Sequence, residues 1–130
     1  MMENRVYQPL RNYSIEEIKR ILSEDNHDEL MLLPLSAGEY VRDWKKAQDI
    51  CIHLLSHTNA AIRANAVLGL SYVARNHGIL DQRIVKPYLL KELRENEGYR
   101  WRIMDALEDI NLFLDWHIGE NARKGYRDDG

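Results

Sequence analysis

The chain has 130 residues, enough for one domain that buries roughly two-thirds of the surface its unfolded form exposes. Apolar residues at 45% and charged residues at 30% exclude a disordered chain, and no apolar run approaches the ~18 residues that cross a bilayer. The net charge of −3 argues against nucleic acid as the partner, because that binding needs an excess of Lys and Arg facing phosphate.

Taken in chain order, residues 1–13 (MMENRVYQPLRNY) lack the basic-then-apolar order of a secretion signal and read as an N-terminal extension. Ser14 and Glu17 have the spacing of a capping box, so a first helix is predicted from Ser14 to about Ser23, with Ile15, Ile18, Ile21 and Leu22 as its buried stripe. The acidic run Ser23 to Glu29 has neither the spacing nor the glycine of a calcium loop and reads as a charged linker. Residues 1–41 hold eight acids and four bases, a balance of −4, whereas residues 42–130 sum to +1. Acidic surface of this kind attracts a basic protein.

A short apolar segment, Glu29 to Leu33, is expected to stop at Pro34. Ser36 and Glu39 repeat the capping-box spacing and predict a long helix to about Ser56. Its apolar side holds Tyr40, Val41, Trp44, Ala47, Cys51, Ile52 and Leu55; its polar side holds Arg42, Lys45, Lys46, Asp49, His53 and His57. Cys51, the single cysteine, excludes an internal disulfide, suits a reducing compartment and sits where a buried structural thiol is expected. A cytoplasmic location is therefore expected. His53 and His57 stand four apart, a spacing that can grip a metal ion, but no neighbouring acid or cysteine completes a ligand set. No metal and no cofactor is expected.

Asn59 is placed to cap the next helix, and Gly78 to end it in a left-handed conformation. Asp81 caps the segment after it, where Pro87 implies either a kink or a helix beginning at Pro87 itself. The last helix is predicted from about Tyr99 to Ile118, followed by a polar tail, residues 119–130. No segment alternates like a strand, so the expected fold is all-α, with about five to six helices in one domain over 1–130.

Two of these segments read as copies of one unit. Asn59 to Val73 aligns with Asn96 to Ile110, 37 residues on, placing Ile62-Arg63 over Tyr99-Arg100, Ala66 over Ile103, and Gly69-Leu70 over Ala106-Leu107. These residues resemble the second-helix signature of HEAT repeats, and Val85-x-Pro87-x-Leu89-x-x-x-Leu93 resembles the start of a HEAT first helix. The resemblance spans about residues 40–118. It implies a short right-handed α-α superhelix of HEAT-like helix pairs, and a broad rigid surface for binding. The acidic residue usual ahead of the Val-Arg pair is Asn59 in one copy and Asn96 in the other, which leaves open what Arg63 and Arg100 pair with.

The last helix carries the candidate site. With Asp105 as the angular origin, Phe113, Ala106, Ile110, Ile103, Leu114 and Leu107 fall between about 80° and 200° and form the expected core side. The opposite arc gathers Trp101, Asp105, Glu108, Asp109, Leu112, Asp115 and Trp116. Aromatic and aliphatic anchors ringed by one sign of charge are what a hot spot for a basic protein partner looks like. Four carboxylates on one outward face have no opposing wall to desolvate them, so catalysis is not read from them. No phosphate loop, nucleophile elbow or paired-Cys motif occurs, so no enzyme is expected.

Size, acidic bias and this face give a protein-binding inhibitor as the leading reading. In overall character the chain resembles small helical immunity proteins of bacterial contact-dependent or polymorphic toxin systems. That resemblance implies occlusion of the basic cleft of a nuclease-type toxin domain. One alternative is a scaffold or adaptor, which includes a homodimer joined through the tryptophan-bearing face. Another is a DNA-handling protein similar to HEAT-like alkylpurine glycosylases, which need a basic cradle. Residues 60–118 hold eight acids and eight bases and supply none.

Overall fold

The computed structural model of the protein describes residues 10–120. Over these the chain is all-helical, with no strand among the described residues: α1 (Ile15–Glu24), α2 (His27–Tyr40), α3 (Trp44–Leu54), α4 (Ala60–His77), α5 (Gln82–Glu95) and α6 (Arg100–Leu114), with a 3-10 turn at Glu97–Tyr99. None of these helices is long and apolar enough to cross a membrane. Most of the expected N-terminal extension and of the polar tail, residues 1–9 and 121–130, lies outside the described residues.

The helices form three successive pairs. The second members, α2, α4 and α6, make the main row, with α4 touching both of the others; α3 packs on α4 and α2, and α5 on α6 and α4. This packing is compatible with a helical superhelix. As the middle of the row, α4 is covered on most sides, and Ile62, Ala64, Ala66, Val67, Leu70 and Val73 are wholly inaccessible.

α1 begins as the sequence predicts. The backbone N–H of Glu17 donates to Ser14 Oγ at 3.1 Å, and that of Ser14 to Glu17 Oε1 at 2.9 Å. The next boundary differs from expectation. Pro34 does not stop a short segment but lies buried within α2, and the helix expected from Ser36 to Ser56 is two helices, α2 and α3, broken at residues 41–43. Tertiary packing outweighs the missing proline N–H here: Leu30, Leu33, Pro34, Ala37 and Gly38 are all buried on α2. Ser36 is therefore no cap. Its hydroxyl donates to the Arg11 carbonyl, Glu39 pairs with Arg75 at 2.7 Å, and α3 is capped instead by Asp43, which accepts from the Lys45 and Lys46 amides.

Glycine permits the contact between α2 and α4. A methyl group on Gly69 would lie 2.5 Å from the Pro34 carbonyl oxygen and 2.9 Å from Cys51 Sγ. On the α2 side, a methyl group on Gly38 would lie 2.6 Å from the Gly69 carbonyl oxygen, so the two backbones meet where each helix carries a glycine. Asn59 caps α4 as predicted, and Gly78, at φ +68°, ends it. α5 starts at Gln82 behind the Asp81 cap, not at Pro87. α6 stops four residues short of the expected Ile118. Asp115 takes the left-handed conformation, and the Trp116 N–H closes the end on the Asn111 carbonyl at 3.0 Å.

Candidate protein-binding face

α6 is held from within. Arg100 donates through Nε to the Leu93 carbonyl at 3.0 Å and through NH2 to the Arg94 carbonyl, anchoring the start of α6 to the end of α5. Arg63 does the same one pair earlier, donating to the carbonyls of His57 and Thr58 at 2.9 Å. Arg63 Nε also meets Glu92 Oε1 at 3.1 Å, and Asn96 Nδ2 donates to that oxygen at 3.1 Å and to the Ala60 carbonyl at 2.9 Å. Asn65 ties the row together: its Nδ2 donates to the Met31 carbonyl of α2, while its Oδ1 accepts from Arg102 of α6. These anchors fix which side of α6 faces outward.

That outer side carries Trp101, Asp105, Glu108, Asp109 and Leu112, all exposed, with Trp101 at 68% and Leu112 at 76%. They recur at the spacing of one helical stripe. Leaving an indole and an isobutyl group in water forgoes about 2 kcal/mol of burial for each, and the carboxylates between them keep the ridge soluble.

Trp116 does not reach this surface along the helix, since α6 has ended before it. It is half-buried, packed against the core, because residues 116–119 fold back and bury Ile118, whose backbone exchanges two hydrogen bonds with the Asn111 side chain. The folded-back segment nevertheless brings Trp116 beside the ridge. Glu108, Asn111, Leu112, Asp115, Trp116, His117 and Glu120 line a shallow hollow of about 320 Å³. His117 Nδ1 lies 2.9 Å from Glu120 Oε2, and this hydrogen bond, with the carboxylate's charge, raises the imidazole's pKa. Of the expected site residues, Glu108, Leu112, Asp115 and Trp116 thus share one hollow, and Trp101, Asp105 and Asp109 continue the ridge toward the start of α6.

Phe113, expected in the core, is 42% exposed instead. It lies at the margin of the core arc. The signal was available: 80° from Asp105 is the edge of the stripe, not its centre.

Cys51 is fully buried, and desolvation pushes its thiol pKa far up, so it is a packing group. A second cluster was not foreseen from the sequence. His57 pairs with Asp25, Nε2 to Oδ1 at 2.6 Å, and His27 Nε2 stands 3.8 Å from Asp25 Oδ2. These three side chains hold their ligand-capable atoms within 4.8 Å of one another. The network assigns a tautomer, however. The Asn59 backbone N–H donates to His57 Nδ1 at 2.9 Å, which puts the proton on Nε2, where it donates to Asp25 and leaves no lone pair for a metal. The geometry fits a clasp between the first and second helix pairs. Only the positions of Asp25 and His27 beyond the end of α1 make it, and no sequence spacing announces that.

The chain matches no known protein family, no curated protein and no solved structure.

Proposed function

We propose that this chain is a HEAT-like binding protein, not an enzyme, whose α6 ridge engages a basic protein. The carrying observation is Trp101 and Leu112 standing in solvent on one stripe with Asp105, Glu108 and Asp109. An anchor pair of this kind gains most of its energy by entering apolar recesses of a partner, and the carboxylates steer and orient a positively charged one. The hollow beside Leu112 and Trp116 takes a lysine or arginine stem against the indole, with its charged head toward Asp115. What supports the HEAT-like assignment is the stacking of α2, α4 and α6 and the matched work of Arg63 and Arg100.

Among basic proteins, a nuclease-type toxin domain fits best. Its cleft for nucleic acid is cationic by necessity, and a rigid acidic ridge covers such a cleft without chemistry. In this role the chain acts in the cytoplasm as an immunity protein. The test is protection of growth. Cells expressing a nuclease toxin domain from a gene found beside the one for this chain are expected to survive when the chain is co-expressed, and Trp101→Ala/Leu112→Ala to remove that survival at equal protein level; a neighbourhood without such a gene counts against the toxin reading. Full protection by the double variant overturns the ridge; undiminished nuclease activity in the presence of equimolar purified chain overturns the inhibitor.

A further inference from the structure

A second apolar surface lies far along the chain from the α6 ridge, with the opposite charge at its rim. Asn12, Tyr13, Ile15, Ile18 and Lys19 on one side, and Val41, Arg42, Asp43, Lys46, Asp49 and Ile50 on the other, enclose a groove of about 660 Å³ between the start of α1 and the start of α3. Its floor is aliphatic, and Ile15 stands 64% exposed at its edge although it opens an amphipathic helix. Three cations, Lys19, Arg42 and Lys46, border it. Among the described residues none of the three side chains enters an ion pair. Among the described residues two carboxylates line it, Asp43, which accepts from the Lys45 and Lys46 amides as the α3 cap, and Asp49, so the three cations outnumber the acids.

The groove is thus an apolar trough with a cationic border, and the α6 ridge is an apolar stripe with an anionic border. We infer that the occupant of the groove is the α6 ridge of a second copy of this chain. An amphipathic helix laid into an apolar groove is a recurring recognition mode read by anchors one to three turns apart, and Trp101 and Leu112 are spaced in that way on α6. Their side chains meet Ile15, Ile18, Val41 and Ile50, while Asp105 and Asp109 approach Lys19, Arg42 and Lys46. Because groove and ridge are different surfaces, the contact is heterologous: each copy that uses its ridge keeps a free groove, and association propagates head to tail. The inference depends on the ridge being a docking face, as proposed above, but not on the identity of any basic partner. It adds a regulation: a partner that takes the ridge dissolves the self-association, since both need the same residues.

The test uses the purified full chain alone, by sedimentation velocity across a wide concentration range. The wild type is expected to sediment as species larger than 15.3 kDa that grow with concentration and shrink as ionic strength rises from about 0.01 M to about 1 M, where the screening length falls from ~30 to ~3 Å. A groove variant, Ile15→Ser/Arg42→Ser/Lys46→Ser, and a ridge variant, Trp101→Ser/Asp109→Ser/Leu112→Ser, alter exposed side chains only, and far-ultraviolet circular dichroism confirms that both fold. Each alone is expected to lose about 100-fold or more in association and remain monomeric. Mixed, they pair through the one intact groove and the one intact ridge, and stop at a heterodimer. A wild-type chain that is monomeric throughout overturns the inference. So does a groove variant that associates like wild type, which would mark a ridge-to-ridge dimer, and so does a mixture that forms no heterodimer. None of these results touches the basic-partner reading, which survives or fails on the protection assay.

Discussion

Arg63 Nε lies 3.1 Å from Glu92 Oε1, joining α4 to α5 through a carboxylate whose side chain is 3% exposed. This pair answers the question the repeat leaves open. The acid that serves Arg63 comes from the following helix pair instead of from the position just ahead of it, which Asn59 uses to cap α4 by accepting from the Ala61 and Ile62 amides. Removing one partner of a buried pair strands the other's charge. Arg63→Ala is therefore expected to lower unfolding free energy by about 3–5 kcal/mol, with Arg63→Met/Glu92→Met costing much less than the single change. Urea denaturation of both variants checks this. Equal losses would mean that Glu92 is well served by Asn96 alone.

The contact of α2 with α4 predicts a contrast between two glycines. Gly69→Ala drives a methyl group into the Pro34 carbonyl at 2.5 Å and is expected to cost about 1–3 kcal/mol or more. Gly98→Ala meets open space and is expected to leave stability unchanged within about 0.5 kcal/mol. Thermal melts of the two variants side by side decide it, and similar midpoints would contradict the close approach.

The clasp at Asp25 predicts a dependence on pH. The hydrogen bond from His57 is the main cause holding the Asp25 carboxyl below its ordinary value, against a smaller opposing effect of desolvation. A depressed folded pKa means stability that is present above the unfolded value, about 3.9, and lost as pH falls through the folded value. Asp25→Asn, which tolerates the left-handed backbone at φ 55°, is thus expected to be less stable than wild type at neutral pH. The gap closes below about pH 4. Denaturation midpoints of both proteins along a pH series show this; a gap of constant size would assign the effect to packing.

The ridge's charge is open to a direct optical check. Trp101 is exposed among carboxylates, whereas Trp44 and Trp116 are half-buried. A cationic quencher such as caesium gathers near negative charge and an anionic one such as iodide is repelled. Caesium is expected to quench the native protein more than iodide does, after correction with free indole, and Trp101→Phe is expected to abolish most of the difference. Stronger quenching by iodide would contradict the acidic setting.

How far the sequence spoke depends on which interaction set each element. Local caps were legible: Ser14 with Glu17, Asn59, Gly78 and Asp81 act where their chemistry predicts, because each serves backbone groups within a few residues. The break between α2 and α3 was not. Pro34 is tolerated by contacts with α4 and Cys51 that lie 17 or more residues away, and Ser36 is claimed by Arg11, 25 residues back. Angular sorting of α6 placed Trp101, Asp105, Glu108, Asp109 and Leu112 on the outer side. It failed for Trp116, where a left-handed Asp115 ends the helix and periodicity stops being a guide. The Asp25, His27 and His57 cluster forms across 32 residues, beyond any spacing rule.

The sharpest test of the ridge is site-specific photo-crosslinking in the cells that make this protein. A photoreactive residue at position 101 or 112 is compared with one at position 45, exposed at the start of α3. Heterologous adducts are expected from positions 101 and 112 but not from 45, carrying one protein whose surface has an excess of Lys and Arg, and lost when Asp105 and Asp109 are changed to Lys. Adducts of equal strength from position 45, or a captured partner that is acidic and is not a second copy of this chain, would refute the ridge as a docking face for a basic protein.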